Sequence, residues 1–302
     1  MRERKINNLS WISIIKPNRD DVEEIREHFP QVHHLIIENL VSPTLRPHVE
    51  NYDGHIYMVL HFPQFIKHEH RVVANEIDFI LMPQTLITVQ YETIDVLENF
   101  WHECGSGEVA HEYGKTPIHL LYYLLRQFFG ASLQELDAIQ NEIDLIEDKI
   151  FSGDEKEILQ NISILKRNIL DFRRAVKPEH LTLESLRMRG EDLYGLDVRP
   201  YLSDIISEYL RVWNLLENHK ETIDALYETN SALLNARTNS SVLAFTVLAF
   251  TTFVPMTIAA IFGMNLHGTP FAENPNAFWH AFLIICVFTA LIFLILKEKK
   301  LL

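Results

Sequence analysis

VLAFTVLAFTTFVPMTIAAIFGM, residues 242–264, decides the fold: 23 residues without a charged side chain, followed at once by Asn265. An apolar helix needs about 20 residues to cross the hydrocarbon core of a bilayer. A second run, Ala277–Leu296, also lacks Asp, Glu, Lys and Arg. The polar segment between them, Asn265–Asn276, carries the breakers Gly268, Pro270 and Pro275. The chain therefore reads as a two-span hairpin preceded by about 240 residues of water-soluble protein. Lys297, Lys299 and Lys300 flank the second span and Arg237 precedes the first, while the connecting segment has neither Lys nor Arg. By the positive-inside rule both termini face the cytoplasm and the loop faces out.

The net charge of −14 argues against a nucleic-acid binder, which needs a basic face. It suits a protein that attracts cations, and equally one that is merely soluble. Cys104 and Cys286 make no disulfide framework, since the second lies inside a span. The N-terminus MRERKINNLSWISII has too brief an apolar run for a signal peptide. No phosphate-cradling glycine loop and no nucleophile–base constellation is present, so an enzyme is not expected.

Residues 1–116 mix strand and helix signals. Trp11–Ile15, His34–Ile37, His55–Phe62, Glu76–Leu81 and Thr85–Gln90 read as strands, with Ile56, Met58, Leu60 and Phe62 on one face. Asp20–Phe29 reads as an amphipathic helix with acidic residues at its positive end. His68-Glu69-His70 has the look of a metal tripod but fits an exposed hairpin tip better. From Pro117 the period becomes helical. Leu136, Ile139, Ile143, Ile146 and Ile150 form one series, and Ile158, Ile162, Leu165, Ile169, Phe172 and Val176 a second. Asp154 and Glu157 fit a capping box at the turn between them. Glu147, Asp148, Asp154, Glu155 and Glu157 make that tip acidic, either a solvated end or a skirt that concentrates cations. Pro178–Arg199, with Gly190 and Gly195, reads as a linker.

From Tyr201 no Gly or Pro interrupts the chain until Pro255, and Ile205, Tyr209, Val212, Leu216, Ile223, Leu226 and Leu233 keep helical spacing. A helix from there to Asn265 has 65 residues and extends about 100 Å. A small monomer cannot bury such a rod, so several copies side by side in a symmetric ring are the economical solution. The fold expected is thus an α+β cytoplasmic domain, a long helical stalk and two C-terminal transmembrane helices. Its segments are 1–116, a helical hairpin and linker 117–199, a stalk 200–241, a first span 242–265, an external loop 266–276, and a second span with a basic tail 277–302.

Gly263-Met264-Asn265, closing the first of two C-terminal spans, resembles the CorA family of magnesium channels. The likeness extends along nearly the whole chain. Arg46-Pro47-His48-Val49-Glu50 before the strand Ile56–Leu60 resembles the family's N-domain signature. Asn141-Glu142-Ile143-Asp144 and Leu165-Lys166-Arg167-Asn168 resemble its helical hairpin, and Pro200-Tyr201-Leu202-Ser203-Asp204 the start of its stalk. Thr238-Asn239 resembles the pore-helix entrance and Pro255-Met256-Thr257 the mid-membrane Pro-Leu-Thr. Three departures stand out. The proline lies one residue closer to Gly-Met-Asn. The outer loop reads Thr269-Pro270-Phe271 with Glu273 in place of Met-Pro-Glu-Leu. A regulatory acidic pair reads Glu38-Asn39, one acid replaced by an amide.

The resemblance implies a homopentamer in the inner membrane with both termini cytoplasmic. It implies Mg2+ as transported ion and as regulatory ion at Glu38 and Asp204, no organic cofactor, and the lipid bilayer as the other partner. With one regulatory carboxylate missing, weaker inhibition by cytosolic magnesium is expected. Gly263, Met264 and Asn265 would form the selectivity filter. Mg2+ releases water reluctantly, and a ring of neutral Asn265 carbonyls can hydrogen-bond the hydrated ion yet let it leave. Taken alone, the tripeptide also fits an ordinary helix end. Stepping back by threes and fours gives Ile261, Ile258, Val254, Val247 and Leu243 as an apolar wall, with Thr257 and Asn239 as polar stations. Lys297, Lys299 and Lys300 would form a basic collar, or simply contact headgroups. A doubly charged ion gains roughly 4.6 kcal/mol per 100 mV of inside-negative potential, so uptake can be passive. The alternatives are a Co2+, Ni2+ or Zn2+ channel of the same superfamily and a non-conducting membrane-anchored sensor or scaffold. The zinc branch usually carries Gly-Ile-Asn, and Met264 argues against it.

Overall fold

A computed structural model describes residues 1–44, 46–66, 71–105, 113–150, 155–264 and 275–298. The chain divides into two units, Met1–Tyr227 and Glu228–Leu302.

The first unit is built on one mixed sheet in the order β1-β2-β6-β5-β4-β3. The strands are β1 (Arg2–Ile6), β2 (Leu9–Ile15), β3 (His48–Tyr52), β4 (His55–Ile66), β5 (Arg71–Leu81) and β6 (Thr85–Gln90). Only the β2–β6 pair is parallel. Strand β1 is an edge of alternating charges, which the sequence pattern does not single out. Its hairpin to β2 turns at Asn7, with φ 54°, where an Asn tolerates the left-handed conformation. It is tied down by Arg2, whose guanidinium donates to Glu98 at 2.5 and 2.7 Å. An edge strand of this kind discourages pairing with other chains.

Helices α1 (Arg19–His28) and α2 (His34–Asn39) cover one face of the sheet, and their Val22, Ile25, Ile36, Ile37 and Leu40 pack with Ile12, Ile14, Tyr57, Val59, Ile80, Ile87 and Val89. The α1 start is fixed by a reciprocal capping box between Asn18 and Asp21. The sequence reading of His34–Ile37 as a strand is corrected here. His33 turns its side chain to accept the Leu35 N–H as a cap, so a helix starts where the apolar content suggested a strand.

The opposite face meets α3 (Asp95–Glu103) and α4 (Pro117–Lys149). Trp11 packs against Phe100 and Trp101, with centroids 5.7 and 4.7 Å apart, and Phe62 stacks on Phe128 at 4.0 Å. Ile56–Leu60 is therefore buried on both faces. Helix α5 (Glu155–Val176) follows, and both predicted apolar series on α4 and α5 are buried. The predicted linker is instead helix α6 (Glu179–Tyr194) with a short 3-10 turn, Leu196–Val198. Gly190 lets α6 approach the stalk closely: a Cβ there would lie 2.7 Å from Leu202 Cδ1.

Helix α7 runs Arg199–Phe262 with Pro255 inside it. Its first part buries Ile205, Tyr209, Val212, Leu216 and Ile223 in the first unit. The second unit holds the rest of α7 and helix α8 (Ala277–Glu298). These two are long and apolar enough to cross a membrane. They expose Phe245, Leu248, Phe250, Phe253, Met256, Phe278, Trp279, Leu283 and Leu294, a surface far more apolar than water tolerates on a monomer.

Candidate functional site

The C-terminal part of α7 presents two flanks. Val247 is buried and Thr251, Val254, Ile258 and Phe262 are half-buried, spaced by threes and fours along one stripe. Asn239, Leu243, Thr257 and Ile261 are exposed beside it. The candidate wall residues thus fall on adjacent flanks of one helix. Thr246, which the sequence reading passed over, joins the exposed flank. It lies seven residues after Asn239 and eleven before Thr257, close to two and three full helical turns. That spacing was the available signal.

Within the spans each hydroxyl is satisfied by its own helix. Thr246 donates to the Val242 carbonyl at 2.7 Å, Thr251 to Val247 at 2.7 Å and Thr257 to Phe253 at 2.8 Å. Polar groups are thereby carried into an apolar segment without orphaned donors. Pro255 has no N–H for the Thr251 carbonyl four residues before it, so α7 lacks one rung there.

The helix ends at Phe262, and Gly263 and Met264 continue as a turn. Gly263 N–H donates to the Ala259 carbonyl at 2.9 Å, and Met264 N–H to Ile261 at 3.3 Å. Both residues are exposed. Asn265 itself, the loop residues Gly268, Thr269, Pro270, Phe271 and Glu273, and Lys299 and Lys300 lie outside the described residues; Lys297 is described only as part of the α8 backbone. His68-Glu69-His70 and Asp154 lie outside them as well, while Glu147, Asp148 and Glu157 are exposed. Beside Gly263 a groove of about 320 Å3 separates α7 from α8, lined by Ala259, Phe262, Phe278, Ala281, Phe282 and Ile285.

In the first unit Asp204 and Glu38 are both exposed. Asp204 Oδ2 accepts the Tyr122 hydroxyl at 2.8 Å; Glu38 makes no ion pair among the described residues. An exposed carboxylate suits a hard, hydrated cation, and among the described residues no hydrogen bond links Asp204 to Glu38. Among the described residues no group of three or more His, Cys, Asp or Glu could hold a metal ion.

A second polar cluster lies inside the sheet. Asp78 is fully buried and its Oδ2 accepts the hydroxyls of Tyr57 at 2.9 Å and Tyr91 at 3.0 Å. Glu76, two residues along the same face, accepts the Thr44 N–H at 2.7 Å and lies 3.1 Å from His61 Nε2. Burial, and then the neighbouring Glu76, push the Asp78 carboxyl up to about 8. Glu179, the first residue of α6, is 1% exposed and burial raises its carboxyl well above the usual range. Asp78 and Glu179 are thus acids of the domain interior that burial favours in the protonated form.

Comparison with known proteins fits this architecture. The family model described as "CorA-like Mg2+ transporter protein" matches residues 7–298. The chain is 25% identical over 294 residues to the cobalt/magnesium transport protein CorA of Thermotoga maritima, covering 96% of this chain and 83% of that one. Among solved structures, the complete CorA magnesium transporter of Methanocaldococcus jannaschii superposes with a TM-score of 0.84 at 18% identity, covering 96% of this chain and 90% of that one. The full-length CmaX structure gives 0.75 at 18% identity, covering 96% and 88%. At these identities the structural likeness speaks for the fold, while the family model, matched along almost the whole sequence, speaks for descent: the chain belongs to the CorA-like Mg2+ transporter family, as a divalent-cation transporter with two candidate membrane spans.

Proposed function

We propose that five copies of this chain form a channel for passive uptake of hydrated Mg2+ driven by membrane potential. The observation that carries this reading is the exposed flank Asn239–Leu243–Thr246–Thr257–Ile261, on a helix that ends at Phe262, with Gly263-Met264 as the turn immediately before Asn265 in sequence. Polar side chains exposed on an apolar helix face a water-filled path more readily than lipid. On this reading the flank lines the axis, with Val254 and Ile258 on its shoulder, and Asn265 closes the path as a ring of amides. The apolar stretches of the lining can close by dewetting.

The stalk is the part of α7 up to residue 241, the first span 242–265, the outer loop 266–276 and the second span with its tail 277–302. The α/β domain is 1–116 and the helical region 117–199. Both termini lie in the cytoplasm, the membrane is the cell's inner membrane, and Lys297, Lys299 and Lys300 form a basic collar at its inner face. Glu38 and Asp204 of neighbouring subunits make a cytosolic magnesium station. Asn39 supplies an amide where a second acid would strengthen it, so inhibition by cytosolic Mg2+ is weak. No organic cofactor enters this mechanism.

A second reading, cobalt as a physiological cargo, is favoured by the name of the Thermotoga maritima relative, a cobalt/magnesium transport protein. The test is flux into proteoliposomes of the purified full chain, with Mg2+, Co2+, Ni2+ and Zn2+ in competition. Mg2+ entry abolished by Asn265→Ala supports the proposal. Preferential Co2+ entry favours the second reading, and no flux for either protein makes the chain a sensor or scaffold.

A further inference from the structure

We propose that Tyr122 is the positioning residue of the Asp204 cation station, setting both its affinity and its preference for small hydrated divalent ions. This rests on the reading of Asp204 as a regulatory site. Asp204 is exposed on α7, and an exposed aspartate ordinarily samples several rotamers. Here its Oδ2 accepts a hydrogen bond, 2.8 Å long, from the hydroxyl of Tyr122 on α4. The donor is itself packed in place. Tyr122 is 8% exposed, and its ring meets those of Tyr123 and Tyr201 at centroid distances of 4.9 and 5.1 Å. Tyr201 in turn rests on His119 at 4.5 Å. Arg126 lies 5.6 Å from the Tyr122 ring. Burial, and then the bond to Asp204, raise the Tyr122 phenol above its ordinary range, so it remains a donor.

Two consequences follow. A carboxylate already fixed needs less ordering when an ion arrives, which raises affinity. With one lone pair of Oδ2 engaged, a bidentate grip makes that oxygen share itself between the hydroxyl and the ion, so the other oxygen is the readier ligand. That bias suits the water shell of Mg2+ and weakens the bidentate grip that Ca2+ accepts readily. Tyr122→Phe keeps the ring and removes only the hydroxyl.

The experiment uses purified full-length protein and reads the rise in Tm on titration with Mg2+ or Ca2+, since an ion that binds the folded state stabilises it. Inhibition of flux by Mg2+ on the cytosolic side is the second readout. Asp204→Ala is expected to lose the Asp204-dependent rise. Tyr122→Phe is expected to keep its amplitude but shift the Mg2+ midpoint upward about tenfold, the low end for a hydrogen bond to a charged group. The Ca2+ midpoint should shift less, so discrimination narrows, and Tyr122→Phe should change neither midpoint in the Asp204→Ala background. A Tyr122→Phe midpoint at or below that of the wild type, with Asp204→Ala still losing the rise, overturns the positioning role and leaves the station standing. An equal shift in the Asp204→Ala background also overturns it. A wild-type midpoint in Asp204→Ala removes the station and the positioning role together.

Discussion

Asp78 shows at the scale of one residue what the sequence conceals. In Asn75–Leu81 the acids Glu76 and Asp78 alternate with Ile77 and Phe79, the pattern of a half-exposed strand. Strand β5 is central instead, and helices cover both its faces, so the nominally polar face is interior. The folded state holds a proton on Asp78 that the unfolded chain releases near the ordinary carboxylate range. Its contribution is therefore complete below about pH 4 and declines as pH rises toward 8, by at most about 1.4 kcal/mol per pH unit. Asp78→Asn should flatten this slope and raise Tm at pH 8 relative to the wild type, measured by thermal melts across pH 5–9. Parallel pH profiles would count against a proton buried on Asp78. Tyr122 was likewise invisible in the sequence, because its partner Asp204 is 82 positions away and belongs to another period.

Among the elements, the long apolar stretches were legible and the local punctuation was not. Both hairpin helices and the run of α7 followed from spacing alone, because burial of one stripe imposes a period on the sequence. Helix α6 did not, since Gly190 and Gly195 looked like linker residues. Gly195 does end the helix, at φ 87°, but Gly190 is a contact glycine inside it. Gly190→Val should push on Leu202, itself 2% exposed, and cost about 1–3 kcal/mol of stability by overpacking, read as a lowered Tm of the full chain. An unchanged Tm would mean that α6 and α7 separate without cost. In the core, Phe62→Ala removes the ring stacked on Phe128 and should cost about 3–5 kcal/mol, checked by denaturant titration.

For the whole molecule the sequence announced two candidate membrane spans through their uncharged length. The spans expose large apolar side chains along α7 and α8, and only lipid or further copies can cover them. Light scattering of the detergent-purified protein should give five times the 35.3 kDa chain mass; a single-chain mass would remove the ring on which Asn265 depends. The register of the proposed pore wall was the part that spacing could not decide, since the candidates stepped back from Asn265 straddle two flanks of the same helix. Burial separates those flanks.

Cysteine accessibility during Mg2+ flux tests the proposed lining most directly, in a Cys286→Ser background with the buried Cys104 retained. Thr257 and Ala259 lie at similar depth on nearly opposite sides of α7, about 200° apart. Modification of Thr257→Cys with a charged thiol reagent is expected to block flux, while modification of Ala259→Cys leaves it intact. Block at Ala259→Cys with free flow at Thr257→Cys would contradict a pore lined by the flank of α7 that carries Asn239, Thr246 and Thr257.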